Sequence, residues 1–256
     1  MKNGKNNFQL KIGGLNMTNL DENLLYGKMK QLDREHVSSQ IILKNSIIPL
    51  EEWDVKGIVG ATATSFFHPH FYKFREHVLN TFTPKHKIAV FSLCSNTRPY
   101  SVSQVWGEML KRNLDAYADL FILSNPGVIP LLYTYELCYP ILHYDWPPQE
   151  ETHELMRGLL YTEIHAERIR AFLTKFPYKI ILSYFPECES RDALWLALHT
   201  LPGLAKDGLQ VMKLPSPRVW GESLESNPEW TFASFDVIRT KKCLDELEYA
   251  VITLAK

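Results

Sequence analysis

The chain has 256 residues, enough for one large domain or a core with an appendage, and such a chain buries roughly three-quarters of its unfolded surface without staples. Hydrophobic residues make up 45% and charged residues 22%, ordinary for a globular protein, and the formal net charge is −1. No global positive field advertises nucleic acid, so any contact with RNA or DNA needs a local patch.

Residues 1–14 form a polar, glycine-containing lead-in without the apolar run of a signal peptide. No apolar stretch reaches the length that crosses a bilayer, so no membrane partner is expected. Cys94, Cys138, Cys188 and Cys243 lie far apart with no CxxC pair, which excludes the common zinc-ribbon and thioredoxin signatures. They read as reduced thiols of a cytoplasmic protein. Leu24, Leu25, Met29 and Leu32 stand at helical spacing and predict a helix over 19–39. The β-branched, apolar runs 41–50 and 55–64 predict two strands joined by a charged turn at 51–54. Phe71, Phe74, Val78 and Phe82 share one face of a helix over 70–82, with Pro84 beyond its end. This lead-in, 1–83, is expected to pack on a core domain, 84–256.

In the core the pattern alternates. Residues 87–93, 118–124 and 178–184 are compact apolar runs of strand length, and 208–212 is a weaker fourth. Helices are predicted over 103–117, over 150–176 (with Leu155, Leu159, Ala166, Ile169 and Leu173 as stripe) and over 191–198. Residues 223–256 mix strand and helix signals and find no place. Strand–helix alternation predicts an α/β fold: a mainly parallel sheet with helices on both faces. In such sheets ligands bind beyond the carboxyl ends of the strands, here the segments 92–103, 124–147 and 184–190.

The first of these carries Cys94, Arg98 and Tyr100 in a polar loop, with Ser101 or Ser103 as the N-cap of the following helix. Free N–H groups at such a junction suit an anion or polar group, and Arg98 can grip a phosphate or carboxylate with two hydrogen bonds. In the second, Asn125-Pro126-Gly127 is a turn at a strand end, placed to cradle a small ligand. His143, Tyr144 and Asp145 follow an apolar, strand-like run and combine a base with a carboxylate. His68 and His70 alternate, but without a third ligand at suitable spacing they read as solvated or capping residues rather than as a metal site. Dinucleotide, P-loop, nucleophile-elbow and zinc-protease motifs are absent, and no cofactor is implied.

The stretch from His68 to about Leu160 resembles the core domain of archaeosine synthase, whose signature is P-C-x3-K-P-Y-x2-S-x2-H. Here Cys94, Pro99, Tyr100 and Ser103 fall in register, Arg98 stands for the lysine, Leu93 for the leading proline and Trp106 for the closing histidine. Residues 124–130, SNPGVIP, resemble the family's S-P-L-G-V-V-P. Glu136 to Pro147 resembles its E-L-x-x-Y-P…H-Y-D-x-P. The resemblance implies a three-layer core like that of uracil-DNA glycosylases. It also implies transfer of an amine to the nitrile of a 7-deazaguanine base, preQ0, with a tRNA or DNA strand carrying that base, or the free base, as partner. Cys94, Arg98, Tyr100, Ser103 and Asp145 would then act in the chemistry. Asn125, Gly127, His143, Tyr144 and Trp106 would line the base pocket, Trp106 by stacking. Cys94, Arg98, Asn125 and Asp145 are expected to converge. Loss of the closing histidine removes a proton-transfer group. Residues 223–256 are too short for the family's RNA-binding module, so a protein partner supplying it is also expected. The alternative is a silent relative that binds a nucleobase or a partner protein.

Overall fold

Three apolar runs whose side chains must be buried on both faces build the centre of the molecule. The computed structural model describes residues 11–12, 15–16, 46–54, 57–58, 66–95, 97, 100–134, 139–142, 154–201, 208–229 and 236–256. Two short antiparallel strands, β1 (Lys11–Ile12) and β2 (Leu15–Asn16), precede the core. Helix α1 (Pro69–Thr81) then leads to β3 (Ile88–Leu93), α2 (Gln104–Lys111) and β4 (Asp119–Ser124). A hairpin returns as β5 (Gly127–Pro130), followed by the helical turn α3 (Tyr139–Leu142) and the long α4 (Glu154–Lys175). Strand β6 (Ile180–Tyr184), α5 (Glu189–Thr200), β7 (Gln210–Leu214), α6 (Pro217–Glu225) and α7 (Lys241–Ala255) complete the order.

The five-stranded sheet runs β5-β4-β3-β6-β7, parallel except for β5, which pairs antiparallel with β4. Side chains alternate across it. Phe91 and Phe121 are register partners and stack with centroids 5.1 Å apart, and Phe121 meets Phe172 of α4 at 5.0 Å. Phe91 pairs with Ser183, so Tyr184 points to the other face, where its hydroxyl donates to the carbonyl of Ile238 at 2.6 Å. On that second face Arg112, at the end of α2, bridges Asp245 and Glu248 of α7. Helices therefore cover both faces, giving the three-layer α/β fold that strand–helix alternation predicts. Ser103, Ser216 and Thr240 cap α2, α6 and α7 through their side-chain oxygens, each worth about 1 kcal/mol.

Ile48, Ile58, Phe71 and Phe74 belong to the same hydrophobic core as the sheet. The two strands expected at 41–50 and 55–64 are not formed where they are described. Residues 46–50 are irregular: the Ser46 hydroxyl donates to the Ile48 carbonyl, and Pro49 opens a 3-10 turn at Leu50–Glu52. Gly57 and Ile58 are helical. The run before His143 is likewise a helical turn rather than strand-like, because Tyr139 stacks flat on Trp53 at 4.1 Å and the turn packs against α1. The helix expected over 19–39 lies outside the described residues. Among the described residues no helix is long and apolar enough to cross a membrane.

Candidate functional site

From β3 the chain passes through α2 on one face to β4. It reaches β6, on the other side of β3, through α4 on the opposite face. The loops leaving β3 and β6 therefore diverge, which marks the carboxyl ends of these two strands as the switch point where open α/β sheets hold ligands.

On the β3 side the strand delivers Cys94, a partly buried free thiol. Tyr100 is fully buried and opens a 3-10 turn, and Ser103 is the helix cap, its Oγ accepting from the Trp106 N–H at 3.3 Å. Trp106 is 0% exposed, and its indole N–H donates to the Leu93 carbonyl at 3.1 Å. It thus fastens α2 to the last residue of β3 and offers no open face for a base to stack on. Of the two roles the sequence allows for this side chain, core packing is the one seen.

Facing this loop, α4 presents Tyr161, His165 and Arg168, spaced four and three residues apart along one stripe of the helix. All three are buried. The Tyr161 hydroxyl lies 3.2 Å from Ser190 Oγ, and burial, with Cys94 and Cys188 nearby, holds its pKa well above the usual tyrosine range. The His165 ring stacks on Tyr161 at 3.9 Å and stands edge-on to Phe66. Neither ring nitrogen of His165 has a hydrogen-bond partner among the described residues. Burial, reinforced by the Arg168 charge, pulls its pKa well below 6.5, so the imidazole is neutral at pH 7. Burial also pushes the Cys188 thiol up to about 12, which makes that thiol a poor nucleophile.

Arg168 donates to the carbonyls of Asn125 and Phe66, and burial lowers its pKa to about 10. Arg168 thus packs against the β4–β5 turn expected to cradle a ligand, on the side of the Asn125 carbonyl. Gly127 is needed there for its backbone, whose φ of +107° other residues rarely adopt. Cys94 and Asn125 leave neighbouring strands, since Leu93 pairs with Leu123, and both border the same stripe of α4. Arg98, His143, Tyr144 and Asp145 lie outside the described residues, and so does their expected convergence with Cys94.

His68 caps α1, its Nδ1 accepting from the His70 N–H at 3.2 Å while its Nε2 lies 3.0 Å from Asp54. Of the solvated and capping roles read from the sequence, His68 takes the capping one. The α4 triplet escaped the sequence reading, although its spacing continues to Phe172 and so marks a second buried stripe beside the apolar one.

Residues 71–192 match a family described as a domain of unknown function, DUF5591. No curated protein matches the chain. A solved structure, "Crystal structure of AF0587, a protein of unknown function", is similar over 70% of this chain and 49% of its own, at 12% identity and a TM-score of 0.42. The chain thus spans about half the length of that protein.

Proposed function

We propose that the chain modifies a nucleic-acid base of the 7-deazaguanine type at its nitrile carbon, as the resemblance to archaeosine synthase implies. The observation that carries the reading is the buried His165 on α4, without a hydrogen-bond partner among the described residues and set against the Cys94 loop at the switch point of the sheet. A buried polar group without a partner costs about 1–3 kcal/mol, so its retention calls for a ligand or water that completes it. The DUF5591 match spans both halves of this arrangement, since it takes in Cys94 and Tyr161 to Arg168 alike. The matched histidine position is held by Trp106, and His165 supplies from α4 the neutral imidazole that position lacks.

In this reading the Cys94 sulfur attacks the nitrile carbon. One carbon–sulfur bond forms, one π bond of the nitrile breaks, and the thiol proton passes to the nitrile nitrogen with His165 as carrier. An amine then adds to the same carbon and expels the thiol, leaving an amidine, with no change of oxidation state. The strand bearing the base, tRNA or DNA, would meet a local patch rather than a basic surface.

Incubation with preQ0 followed by intact-mass measurement tests this. The expected result is a rise equal to one whole nitrile base, absent from Cys94→Ala. Trp106, sealed into the core, favours a second reading, a silent relative that binds the base. Saturable binding without any adduct would select it, and absence of both binding and adduct, for the base and for oligonucleotides carrying it, would refute both.

A further inference from the structure

Beyond the carboxyl ends of β6 and β7 lies a cleft of about 120 Å³ whose lining includes none of Cys94, Tyr161, His165 and Arg168. Its floor is apolar, with Phe185 following β6, Pro215 following β7, and Trp220 on α6. A cavity of about 150 Å³ takes one benzene ring, so this cleft, open on one side, holds a single flat ring with its substituent at the mouth.

Two further features point to the ligand's charge and shape. Arg191 and Lys213 both line the cleft. Arg191 is neutralised by Glu187 at 3.0 Å and Asp192 at 3.1 Å, whereas Lys213 has no ion-pair partner among the described residues. Among the charged side chains that line the cleft, Glu187 and Arg191 offset each other, and Lys213 is the charge left over at its rim. Gly221 sits inside α6, where glycine costs about 1 kcal/mol relative to alanine. A Cβ there would meet nothing within 4 Å, so packing does not demand the glycine, and the room it leaves opens into the cleft.

We propose that this cleft binds a small molecule made of one flat ring and one anionic group, a phosphate or a carboxylate, the ring on the Phe185–Trp220 floor and the anion on Lys213. The site is independent of the base chemistry at Cys94.

Titration followed by heteronuclear NMR tests it with phenyl phosphate, benzoate and neutral benzyl alcohol. The anions are expected to shift resonances of Lys213 and Gly221 saturably at up to about 5 mM, and benzyl alcohol to bind at least about tenfold more weakly. Preference for phenyl phosphate assigns the natural ligand to phosphate esters, and preference for benzoate to ring carboxylates. Lys213→Gln should weaken anion binding about tenfold and leave benzyl alcohol unchanged. Gly221→Leu should abolish binding of all three while the melting temperature stays at or above that of the parent chain. Equal affinity for the neutral and charged probes, unchanged binding in Gly221→Leu, or no binding of any probe overturns the proposal. Cys94→Ala, which removes the nitrile adduct, should leave these titrations untouched, so the two readings fail separately.

Discussion

The two ends of the central sheet bury polar groups in opposite ways. At the amino end Asp119 is nearly buried, and its carboxylate accepts from the Lys85 N–H at 3.0 Å, the His86 N–H at 3.3 Å and the Tyr178 hydroxyl at 2.7 Å. At the carboxyl end Ser92, Ser124, Ser183 and His165 are each 0% exposed, and none has a hydrogen-bond partner among the described residues. Both ends bury polar groups, but among the described residues only the amino end satisfies them. The amino end is built for stability: a network so fully paired holds the turn from Lys85 and the strands in place. The carboxyl end carries unpaired groups where sheets of this topology hold their ligands.

The largest effect expected belongs to neither set of polar groups. Trp106→Ala should cost about 3–5 kcal/mol, because it removes a fully buried indole and leaves the Leu93 carbonyl without its donor. Chemical denaturation measures this, and base affinity per folded molecule should not change. A loss of affinity with intact stability would show that the ring serves the ligand. Next comes Asp119→Ala, expected to cost about 3 kcal/mol, since it leaves the buried Tyr178 hydroxyl and the part-buried N–H groups of Lys85 and His86 without their acceptor. In a chain of this size that lowers the melting temperature by roughly 6–12 °C. An effect on adduct formation, rather than on stability, would erase the contrast between the two ends.

The pH response separates the ends more finely. The folded-state pKa of His165 lies well below its ordinary 6.5, so above pH 6.5 both folded and unfolded chains hold it neutral and it contributes no slope. As the pH falls below 6.5, the unfolded chain takes up a proton that the folded chain refuses. Stability should then fall by up to about 1.4 kcal/mol per pH unit for this residue. His70, also lowered by burial, adds to the slope in the same window. Denaturant midpoints between pH 7 and 5 should fall, and His165→Phe should remove part of that fall while abolishing adduct formation. An unchanged pH slope in the variant would mean that His165 is protonated in the folded state.

The sheet was legible because a strand buried on both faces must be an apolar run, and residues 87–93, 118–124 and 178–184 are such runs within one or two residues of the observed strands. Strand β5 was not, because Asn125-Pro126-Gly127 reads as a loop, although a turn of that kind can also return the chain as a hairpin. The lead-in was misread for a related reason: 46–50 has strand composition, but local hydrogen bonds from Ser46 and the fixed φ of Pro49 decide its path. Of the site, the Cys94 loop was visible as a polar turn closing an apolar run. Tyr161, His165 and Arg168 were not, since polar heads on a helix ordinarily signal solvent, and only the packing of α4 against the sheet, α5 and Phe66 makes them buried.

Ser183→Ala is the smallest change and the sharpest probe of the contrast. The hydroxyl sits on β6 opposite Phe91 and Lys213, wholly enclosed. Alanine fills nearly the same space, adds β-sheet strain of no consequence and removes one buried oxygen that has no partner among the described residues. An apolar replacement of a truly orphaned group is neutral or stabilising, so a gain of up to about 1 kcal/mol is expected in the denaturant midpoint, with the slope of the transition unchanged. The equivalent truncation at the amino end, Asp119→Ala, moves the midpoint the other way. Should Ser183→Ala instead lose about 1 kcal/mol or more, the hydroxyl is held by an ordered water inside the folded chain. The carboxyl end would then be as well satisfied as the amino end, and the unpaired groups there would no longer point to a ligand.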